Sequence, residues 1–338
     1  MIISAIVIVA YTTLGGFLAA STTDFIQSII MSVALIVVLI FGVETAGGIG
    51  AVIHNASELP GYLSMTLSYD VNTGKAAPYS ALTIVSTAAW GLGYFGMPHI
   101  LLRFMAIEDE KKLKLSRRVA TIWVVISLFV AVFIGVIGYT MSKVGALEML
   151  TGSNSETIIV KISALLSQHG VIFALLAGVI LAGILASTMS TSDSQLLAAS
   201  SAVSSDILGA FRKDSSNKNG SMAAARITLL VISVVAAFIA RNPDSSVFAI
   251  VSFAWAGFGA AFGPVVLFSL FWKRTNKWGA LAGMVCGGSM VFIWKYLIRP
   301  LGGIWNIYEL LPAFLIACAA IVIVSLLTPK PSKEIEEE

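Results

Sequence analysis

Long apolar stretches separated by short polar breaks recur along the whole chain. A helix that crosses the bilayer hydrocarbon, which is about 30 Å thick, needs roughly 20 predominantly apolar residues. Apolar windows of this kind predict nine membrane-spanning helices. Their predicted ranges are 1–20, 25–53, 79–104, 119–142, 171–204, 224–240, 247–272, 278–297 and 309–328. The pattern therefore predicts an all-α membrane protein, with a single transmembrane domain over residues 1–328 and a short cytoplasmic tail over 329–338.

Basic residues are unevenly distributed among the connections between the predicted spans. Lys and Arg concentrate at 103–118, 212–226 and 273–277 and in the tail, whereas the alternate connections carry fewer of them. Because loops rich in Lys and Arg favour the cytoplasmic side, this alternation predicts a cytoplasmic C-terminus in a multi-pass protein of a bacterial or archaeal inner membrane. Nine spans would then place the N-terminus outside, and Met1 leads directly into an apolar stretch, so we expect further helices upstream.

The composition excludes a soluble protein and several kinds of partner. Hydrophobic residues make up 57% of the chain and charged residues only 12%, against about 25% charged residues in soluble domains. The net charge of +3 is modest and lies in short connections, so nucleic acid is not an expected partner. Cys286 and Cys318 lie in apolar stretches without a neighbouring ligand at metal-site spacing, and no nucleophile-elbow motif occurs. We therefore expect no disulfide, no metal cluster, no cofactor and no enzyme.

The third predicted span carries an interruption. The segment WGLGYFGMPH at 90–99 places three glycines and a proline in the middle of a membrane helix. Proline removes a backbone donor and glycine lowers helix propensity, so we expect this helix to break or kink. Backbone groups freed in this way are tolerated in a membrane only where they line a cavity in the protein, which is typical of a binding site. Glycines also let helices pack closely, and this alternative stays open.

Two further glycine patterns have other interpretations. Gly91, Gly93 and Gly96 match the dinucleotide fingerprint GxGxxG. That site needs a preceding strand and a following helix in a soluble βαβ unit, whereas this segment lies in a membrane span, so we reject nucleotide binding. The seventh predicted span, which contains Trp255 and several glycines, is interpreted as a packing helix.

A dense polar segment, STMSTSDSQ at 187–195, ends the fifth predicted span. Four of its hydroxyl residues follow one another at i, i+3, i+4 and i+7, so one helix face presents several oxygens. These residues are Ser187, Ser190, Thr191 and Ser194. Oxygen ligands suit a hard cation such as Na⁺. Serine and threonine hydroxyls in membranes also bond back to carbonyls of their own helix, and the spacing leaves both interpretations open.

Two carboxylates lie near these apolar stretches. Asp193 lies within the polar segment, and Asp24 lies between the first two predicted spans, where we expect it near the membrane interface. A carboxylate in the membrane interior costs about 3 kcal/mol on insertion scales and marks an ion path or a buried pair. Asp193 therefore belongs either to such a pair or path or to the cytoplasmic mouth.

Two segments of the chain resemble the sodium/solute symporter family. WGLGYFGMPHILLRF at 90–104 is similar to the substrate-helix signature of the family and departs from it at Met97, where Gln is expected. Ser190 and Thr191, followed by Gln-Leu-Leu at 195–197, are similar to the sodium-site helix of the family. Further similarity lies in Gly15 to Ala19, in Thr23 with Asp24 and in the basic pair Arg117 and Arg118. The resemblance covers essentially the whole chain and is greatest to the proline-transporting members.

The family resemblance implies a fold and a mechanism. The fold is an inverted repeat of about five plus five helices, with substrate and sodium near the middle of the membrane beside interrupted helices. Members have about thirteen spans, so the nine predicted here would be the last nine, and each site would lack the parts contributed by earlier helices. The implied activity is symport of proline with Na⁺ by alternating access.

The resemblance also implies which residues bind sodium. Its ligands would be the backbone carbonyl of Ser187 and the hydroxyls of Ser190 and Thr191. Asp24 is similar to an acidic residue that the family uses in sodium coupling, and Asp193 is a second candidate for that role. Na⁺ is thus the expected coupling ion.

The implied substrate contacts lie in the interrupted third span. Proline would contact Trp90 and Tyr94, with Pro98 shaping the pocket. Two alternatives stay open: a symporter of the same family for another solute, such as pantothenate or a carboxylate, and a transporter-like sensor domain that binds proline without moving it. An aromatic helix rich in glycine favours a compact imino acid, and a sensor would carry a soluble signalling domain.

Overall fold

A computed structural model of the protein describes residues 2–70, 73–211, 218–240 and 246–331. Helices make up most of these residues. The α-helices are α1 (Ile2–Thr45), α2 (Ile49–Glu58), α3 (Ala81–Ala88), α4 (Pro98–Met105), α5 (Leu113–Lys143), α6 (Ile158–Leu166), α7 (Val171–Ser201), α8 (Leu208–Phe211), α9 (Lys218–Ile239), α10 (Val247–Phe271), α11 (Lys277–Ile293) and α12 (Leu310–Leu327). Short 3₁₀ helices lie at Ala89–Gly96, Glu110–Lys112, Gly152–Thr157, Ser167–His169, Arg299–Leu301 and Gly303–Trp305, and π-helical turns at Ala202–Ile207 and Trp294–Ile298. Strands β1 (Leu67–Asp70) and β2 (Lys75–Pro78) form an antiparallel hairpin.

The chain divides into two compact units, which are described separately. Unit 1 comprises residues 1–59 and 107–244, and unit 2 comprises residues 60–106 and 245–338. Unit 1 contains α1, α2 and α5 to α9, whereas unit 2 contains the hairpin, α3, α4 and α10 to α12. The single transmembrane domain expected over 1–328 stays a prediction.

In unit 1, α1 packs along α7 and also contacts α5. A methyl group added at Gly183 of α7 would lie 2.6 Å from Cβ of Ala34 on α1, so the missing side chain allows these two helices to approach closely. The buried core of this unit draws on α1, α5, α6 and α7, with fully buried Ile137, Ile162 and Ile180 at its centre. The core thus fixes α7 against α1, which positions the polar segment of α7.

In unit 2, α10, α11 and α12 pack together and α10 contacts the 3₁₀ helix at Ala89–Gly96. A methyl group at Gly287 of α11 would lie 2.2 Å from the carbonyl oxygen of Ala260 on α10, so these backbones also touch. Buried Ala256, Leu310 and Phe314 form the centre of the packing between α10 and α12. This small-residue packing holds α10 firmly where it meets the 3₁₀ helix.

Large apolar side chains cover the outside of the long helices. On α5, Phe129 and Val132 are 69% and 71% exposed, whereas Ile134 and Ile137 on the inner face are buried. A helix that is apolar on both its inner and its outer face requires an apolar surrounding, which lipid provides. The lipid bilayer is therefore the environment that these surfaces fit.

In the described part of the chain, six helices are long and apolar enough to cross a membrane. They are Ile6–Thr45, Glu110–Lys143, Val171–Ile207, Val247–Phe271, Lys277–Leu301 and Leu310–Leu327. A shorter apolar helix lies at Ala223–Ile239 and corresponds to the sixth predicted span. The prediction of an all-α membrane protein is confirmed, whereas the count of nine spans is not, because the first three predicted spans have a different organisation.

The first two predicted spans correspond to two helices that meet at Gly16 and together make up α1. The polar break expected at 21–24 is wrong: these residues are helical, and the interruption lies at Gly16, with φ 59° and ψ −152°. The hydroxyls of Thr22 and Thr23 donate to the carbonyl oxygens of Leu18 and Ala19, so these polar side chains are satisfied by the helix itself. Gly16 adopts a backbone conformation that is essentially restricted to glycine, and therefore the chain turns there.

The third predicted span breaks, as its glycines and proline indicate. It consists of α3, the 3₁₀ helix at Ala89–Gly96 and α4, each of eight residues. None of these pieces alone is long enough to cross a membrane, and we call the three together the interrupted helix. Part of the basic connection at 212–226 and the tail beyond Pro331 lie outside the described residues. The cytoplasmic C-terminus stays a prediction.

Candidate transport sites

The polar face of α7, formed by Ser187, Ser190, Thr191 and Ser194, lies on a regular helix. Its hydroxyls bond back to carbonyl oxygens of the same helix, which was one of the two open interpretations. Ser190 and Thr191 donate to the same acceptor, the carbonyl oxygen of Ser187, at 3.1 Å and 3.2 Å. Ser194 in turn donates to the carbonyl oxygen of Ser190 at 2.9 Å. These bonds keep α7 helical through its polar segment.

The three oxygens implied as sodium ligands converge on this face. Because both hydroxyls donate to the Ser187 carbonyl, each hydroxyl oxygen lies within one hydrogen-bond length of that carbonyl oxygen. A hydroxyl that donates one hydrogen bond retains lone pairs on its oxygen, so it can coordinate a cation at the same time. For the two hydroxyls, bonding back to the helix is therefore compatible with binding a cation. The donor set of one carbonyl and two hydroxyls fits a hard cation.

A buried carboxylate lies beside this face, between Thr191 and Ser194 in the sequence. Asp193 has no exposed surface, and its Oδ2 atom accepts a hydrogen bond of 2.8 Å from the hydroxyl of Tyr11 on α1. The hydroxyl of Ser194 donates to Oδ1 at 3.3 Å. Asp24, also on α1, interacts electrostatically with both Tyr11 and Asp193. We call Tyr11, Asp24 and Asp193 the carboxylate cluster.

Both acidic residues of the carboxylate cluster lie on helices of unit 1. Asp193 belongs to a buried, hydrogen-bonded group within unit 1, and Asp24 lies inside α1 instead of between two spans. Sequence reasoning singled out both carboxylates but missed Tyr11. No local signal identifies Tyr11, because its partner is 182 residues away and only the packing of α1 on α7 brings them together.

The interrupted helix changes conformation at the candidate substrate residues. The 3₁₀ helix ends at Gly96, Met97 is extended with φ −81° and ψ 111°, and α4 begins at Pro98. The residue before a proline favours an extended backbone, and a proline at the first helical position removes a donor that would have no partner there. Proline and glycine together thus account for the break.

Trp90 and Tyr94 meet on one aromatic ring, that of Trp255 on α10. The rings of Trp90 and Trp255 stack with their centroids 5.2 Å apart, and Tyr94 meets Trp255 edge to face at 4.8 Å. Phe248 and Tyr308 also stack on Trp90, at 5.7 Å and 6.2 Å. Trp90 is half-buried, whereas Tyr94 is 48% exposed. The structure therefore brings two of the three candidate substrate residues together.

Pro98 stands apart from this aromatic group. It is half-buried and begins α4, four residues beyond Tyr94. Its contribution is to the backbone, because it fixes the start of the helix that follows the break.

Tyr308, which stacks on Trp90, precedes α12 and so lies outside the membrane-spanning helices. Its burial raises the pKa of its hydroxyl. Tyr308 is therefore a neutral hydrogen-bond donor at physiological pH, and it donates to the carbonyl oxygen of Ser252 at 2.6 Å.

The glycines of the interrupted helix also serve close packing, which was the alternative left open. A methyl group at Gly96 would lie 2.4 Å from the carbonyl oxygen of Phe258, and one at Gly259 would lie 2.7 Å from Cα of Gly93. Gly91 differs, since a methyl group there would meet no atom within 4 Å. Helix interruption and close packing thus occur in the same segment. We call the contact of Gly93 and Gly96 with α10 the glycine contact.

Sequence reasoning interpreted α10 as a packing helix and missed the aromatic residues that contact Trp90. The packing role is confirmed by the glycine contact. Phe248, Ser252, Trp255 and Gly259 follow one another at intervals of three or four residues, so they share one face of α10. That periodicity was a usable signal for a face directed at another element, although it does not say at which one.

Helical spans, an interrupted helix and a helix with a polar face are features typical of polytopic membrane transporters. The sequence pattern of the Sodium:solute symporter family matches residues 1–287, and the chain belongs to this family. The osmoregulated proline transporter OpuE of Bacillus subtilis is 38% identical over 333 residues, which cover 98% of this chain and 64% of the relative. The high-affinity proline transporter PutP of the same organism is 39% identical over 334 residues, covering 98% and 66%.

Other comparisons agree with this assignment. The sodium/proline symporter of Haemophilus influenzae is 40% identical over 333 residues, covering 97% of this chain and 63% of the relative. A solved structure described as the substrate-bound outward-open state of a Na⁺-coupled sialic acid symporter shares the fold, with a TM-score of 0.72 at 18% identity over 97% of this chain and 66% of that one. The chain thus spans about two thirds of the length of these proteins. The predicted family resemblance is confirmed.

Proposed function

We propose that this chain forms most of a sodium-coupled proline symporter of the cytoplasmic membrane. The observation that carries the proposal is the convergence of the Ser187 carbonyl with the hydroxyls of Ser190 and Thr191 on the polar face of α7. The relatives named as proline transporters support the choice of solute. Na⁺ is the coupling ion, and no cofactor is required.

The proposed solute site uses the interrupted helix. Trp90 and Tyr94 present aromatic surface on the 3₁₀ helix, next to the extended Met97, and Pro98 fixes the start of the helix that follows. An imino acid has a compact apolar ring and a charged carboxylate and ammonium group. Aromatic faces suit the ring and the cation, and free backbone amides suit the carboxylate. This combination favours proline over the larger pantothenate.

The proposed sodium site uses the polar face of α7, and the carboxylate cluster tunes it. Asp193 lies two residues beyond Thr191, and its buried charge raises the local preference for a cation. Asp24 acts on the same region from α1. We infer that both carboxylates link sodium binding to the arrangement of α1 against α7. The hydrogen bond from Tyr11 holds Asp193 in place for this role.

The proposed mechanism is ordered coupling within an inverted-repeat fold. Na⁺ binds first and orders the site, proline binds next, and alternating access carries both inward. Each positive charge that moves inward gains about 2.3 kcal/mol per 100 mV of membrane potential. One Na⁺ can therefore drive accumulation of the solute. The cytoplasmic C-terminus and the five-plus-five repeat belong to this proposal.

Uptake in proteoliposomes tests the proposal. The purified full chain is reconstituted, and uptake of labelled proline is measured with an inward gradient of Na⁺ or of K⁺. We expect uptake that depends on Na⁺, competition by excess proline, and little competition by pantothenate or acetate. Competition by pantothenate or acetate instead of proline would favour another solute of the same family. Saturable proline binding without uptake would favour the sensor.

A matched pair of variants tests the sodium site. We expect Ser190→Ala and Thr191→Ala to raise the Na⁺ concentration for half-maximal uptake about tenfold or more, because each removes a ligand. The control is Thr188→Ala, whose hydroxyl donates to the carbonyl oxygen of Ile184 and not to that of Ser187. An unchanged Na⁺ dependence in both site variants, or the same shift in the control, would rule out this site.

A further inference from the structure

The indole ring of Trp255 occupies the space where a side chain at position 93 would lie. A methyl group added at Gly93 would be 2.0 Å from Nε1 of Trp255 and 2.4 Å from its Cδ1 atom. Non-bonded atoms do not approach this closely, so the ring lies directly on the backbone of Gly93. The side chain from α10 and the glycine of the 3₁₀ helix are therefore matched in size.

The same indole ring binds the residues on either side of this glycine. Its Nε1–H group donates a hydrogen bond of 2.9 Å to the carbonyl oxygen of Trp90. Its face stacks on Trp90, and its ring meets Tyr94 edge to face. The Trp90 carbonyl lies in the 3₁₀ helix that interrupts the span, and Trp255 supplies it with a side-chain donor. One side chain thus contacts backbone and side chains across a full turn that carries two proposed substrate residues.

Trp255 is itself held on a rigid support. The next residue, Ala256, has no exposed surface, and Gly259 one turn later packs on Gly93. Tyr308 links this part of α10 to the start of α12 through its hydrogen bond to the Ser252 carbonyl. The backbone N–H of Tyr308 also donates to the hydroxyl of Ser86 on α3, at 3.1 Å. The ring is therefore fixed before any solute arrives.

We propose that Trp255 is a positioning residue, which sets the orientation of Trp90 and Tyr94 through its hydrogen bond and its contact with Gly93. It acts through these two residues and does not itself touch the solute. The proposal rests on the proposed function in assuming that Trp90 and Tyr94 bind the solute. The contact with Gly93 makes position 255 a determinant of solute affinity, whereas the sodium site on α7 does not depend on it.

Transport kinetics give the first test. Trp255→Phe keeps an aromatic ring but removes the N–H donor, and we expect it to raise the apparent KM for proline about three- to tenfold, as loss of one hydrogen bond does. The apparent KM for Na⁺ should stay unchanged. The matched control is Trp294→Phe, which removes an indole bond of 3.3 Å to the Ile307 carbonyl in the same unit. An equal change of the proline KM in both variants would overturn the positioning role.

Size exchange gives the second test. Gly93→Ala alone should abolish proline uptake, because its methyl group collides with the indole ring. Gly93→Ala should also lower the melting temperature in detergent, and the double variant Gly93→Ala with Trp255→Ala should regain much of this loss, because the space left by the ring accepts the methyl group. Uptake should stay low in the double variant, because the positioning ring is absent. Recovery of the melting temperature supports direct contact, and a double variant no more stable than Gly93→Ala would overturn it.

A measurement without solute separates this proposal from the proposed function. Phe95→Cys, in a Cys286→Ser and Cys318→Ser background, places a thiol in the same turn at a residue that is 42% exposed. We expect Trp255→Phe to change the rate of maleimide labelling at position 95 severalfold, whereas Trp294→Phe leaves it unchanged. An unchanged rate in Trp255→Phe would overturn the proposal. Altered labelling in a protein that transports no proline would refute the proposed function alone.

Discussion

Two helices carry unusual residues in the middle of an apolar stretch, and they respond in opposite ways. Helix α7 contains nine consecutive residues from Ser187 to Gln195 that are mostly polar, yet it stays helical from Val171 to Ser201. The interrupted helix contains apolar residues around its glycines, yet it leaves the α-helical conformation at Ala89. Polarity is therefore not what breaks a membrane helix here.

The difference lies in what each sequence does to the backbone. In α7 the backbone stays α-helical through the polar segment, and the hydroxyls add bonds to carbonyls three or four residues earlier. In the interrupted helix, Pro98 removes a donor and the glycines remove the side chains that would keep α10 at a distance. A break of this kind needs a neighbouring helix that satisfies the freed groups, and Trp255 on α10 provides one such contact.

The largest expected effect concerns the glycine contact. Gly96→Ala should destabilise the protein by about 3 kcal/mol, because its methyl group would meet the backbone of Phe258 and Gly259, which cannot move aside as a side chain can. Gly91→Ala is the control, since its methyl group meets open space, and it should be neutral or slightly stabilising. Thermal unfolding in detergent measures both. Equal melting temperatures for the two variants would contradict the role assigned to packing.

The carboxylate cluster provides the next largest effect and tests how α7 keeps its polar segment. A double-mutant cycle of Tyr11→Phe with Asp193→Asn should give a coupling energy of about 2 kcal/mol, as expected for a hydrogen bond to a charged group. Chemical unfolding in detergent gives the change in free energy of unfolding for the two single variants and for the double variant. Additive effects of the two substitutions would show that the bond does not contribute to stability.

Gly16 provides a smaller effect and a different kind of break. A methyl group there meets no atom within 4 Å, so only the backbone conformation opposes a side chain. Gly16→Ala should therefore cost about 1–2 kcal/mol, less than Gly96→Ala. Gly135→Ala, in the regular helix α5 and also in open space, is the matched control and should not destabilise. A loss of stability in the control equal to that in Gly16→Ala would contradict this explanation.

The smallest effect on stability is expected on the polar face of α7. Ser190→Ala should change the melting temperature in K⁺ only slightly, because the backbone of α7 does not need that hydroxyl. In Na⁺ the parent protein should be stabilised, by about 2.7 kcal/mol at a hundred times the dissociation constant, and the variant should lose this gain. Removal of Na⁺ by exchange into K⁺ should reverse the gain. Equal stabilisation of parent and variant by Na⁺ would contradict the proposed site.

Much of the local structure was predictable from particular residues. The glycines and Pro98 predicted the break in the third span, and the spacing of Ser187, Ser190 and Thr191 predicted a shared face. The position of the first break was not predictable from polarity, because Thr22 and Thr23 satisfy their hydroxyls within the helix. The break lies at Gly16, and the backbone conformation that causes it is visible only in the folded chain.

The sequence by itself determined the membrane environment, the helical class, the family and the two segments that carry the candidate sites. These properties depend on composition and on the order of neighbouring residues. Only the tertiary structure decided that Tyr11 bonds to Asp193 and that Trp255 bonds to Trp90, across 182 and 165 residues of chain. The physical reason is that such contacts depend on which helices pack together and at what rotation, and helical periodicity identifies a face without identifying its partner.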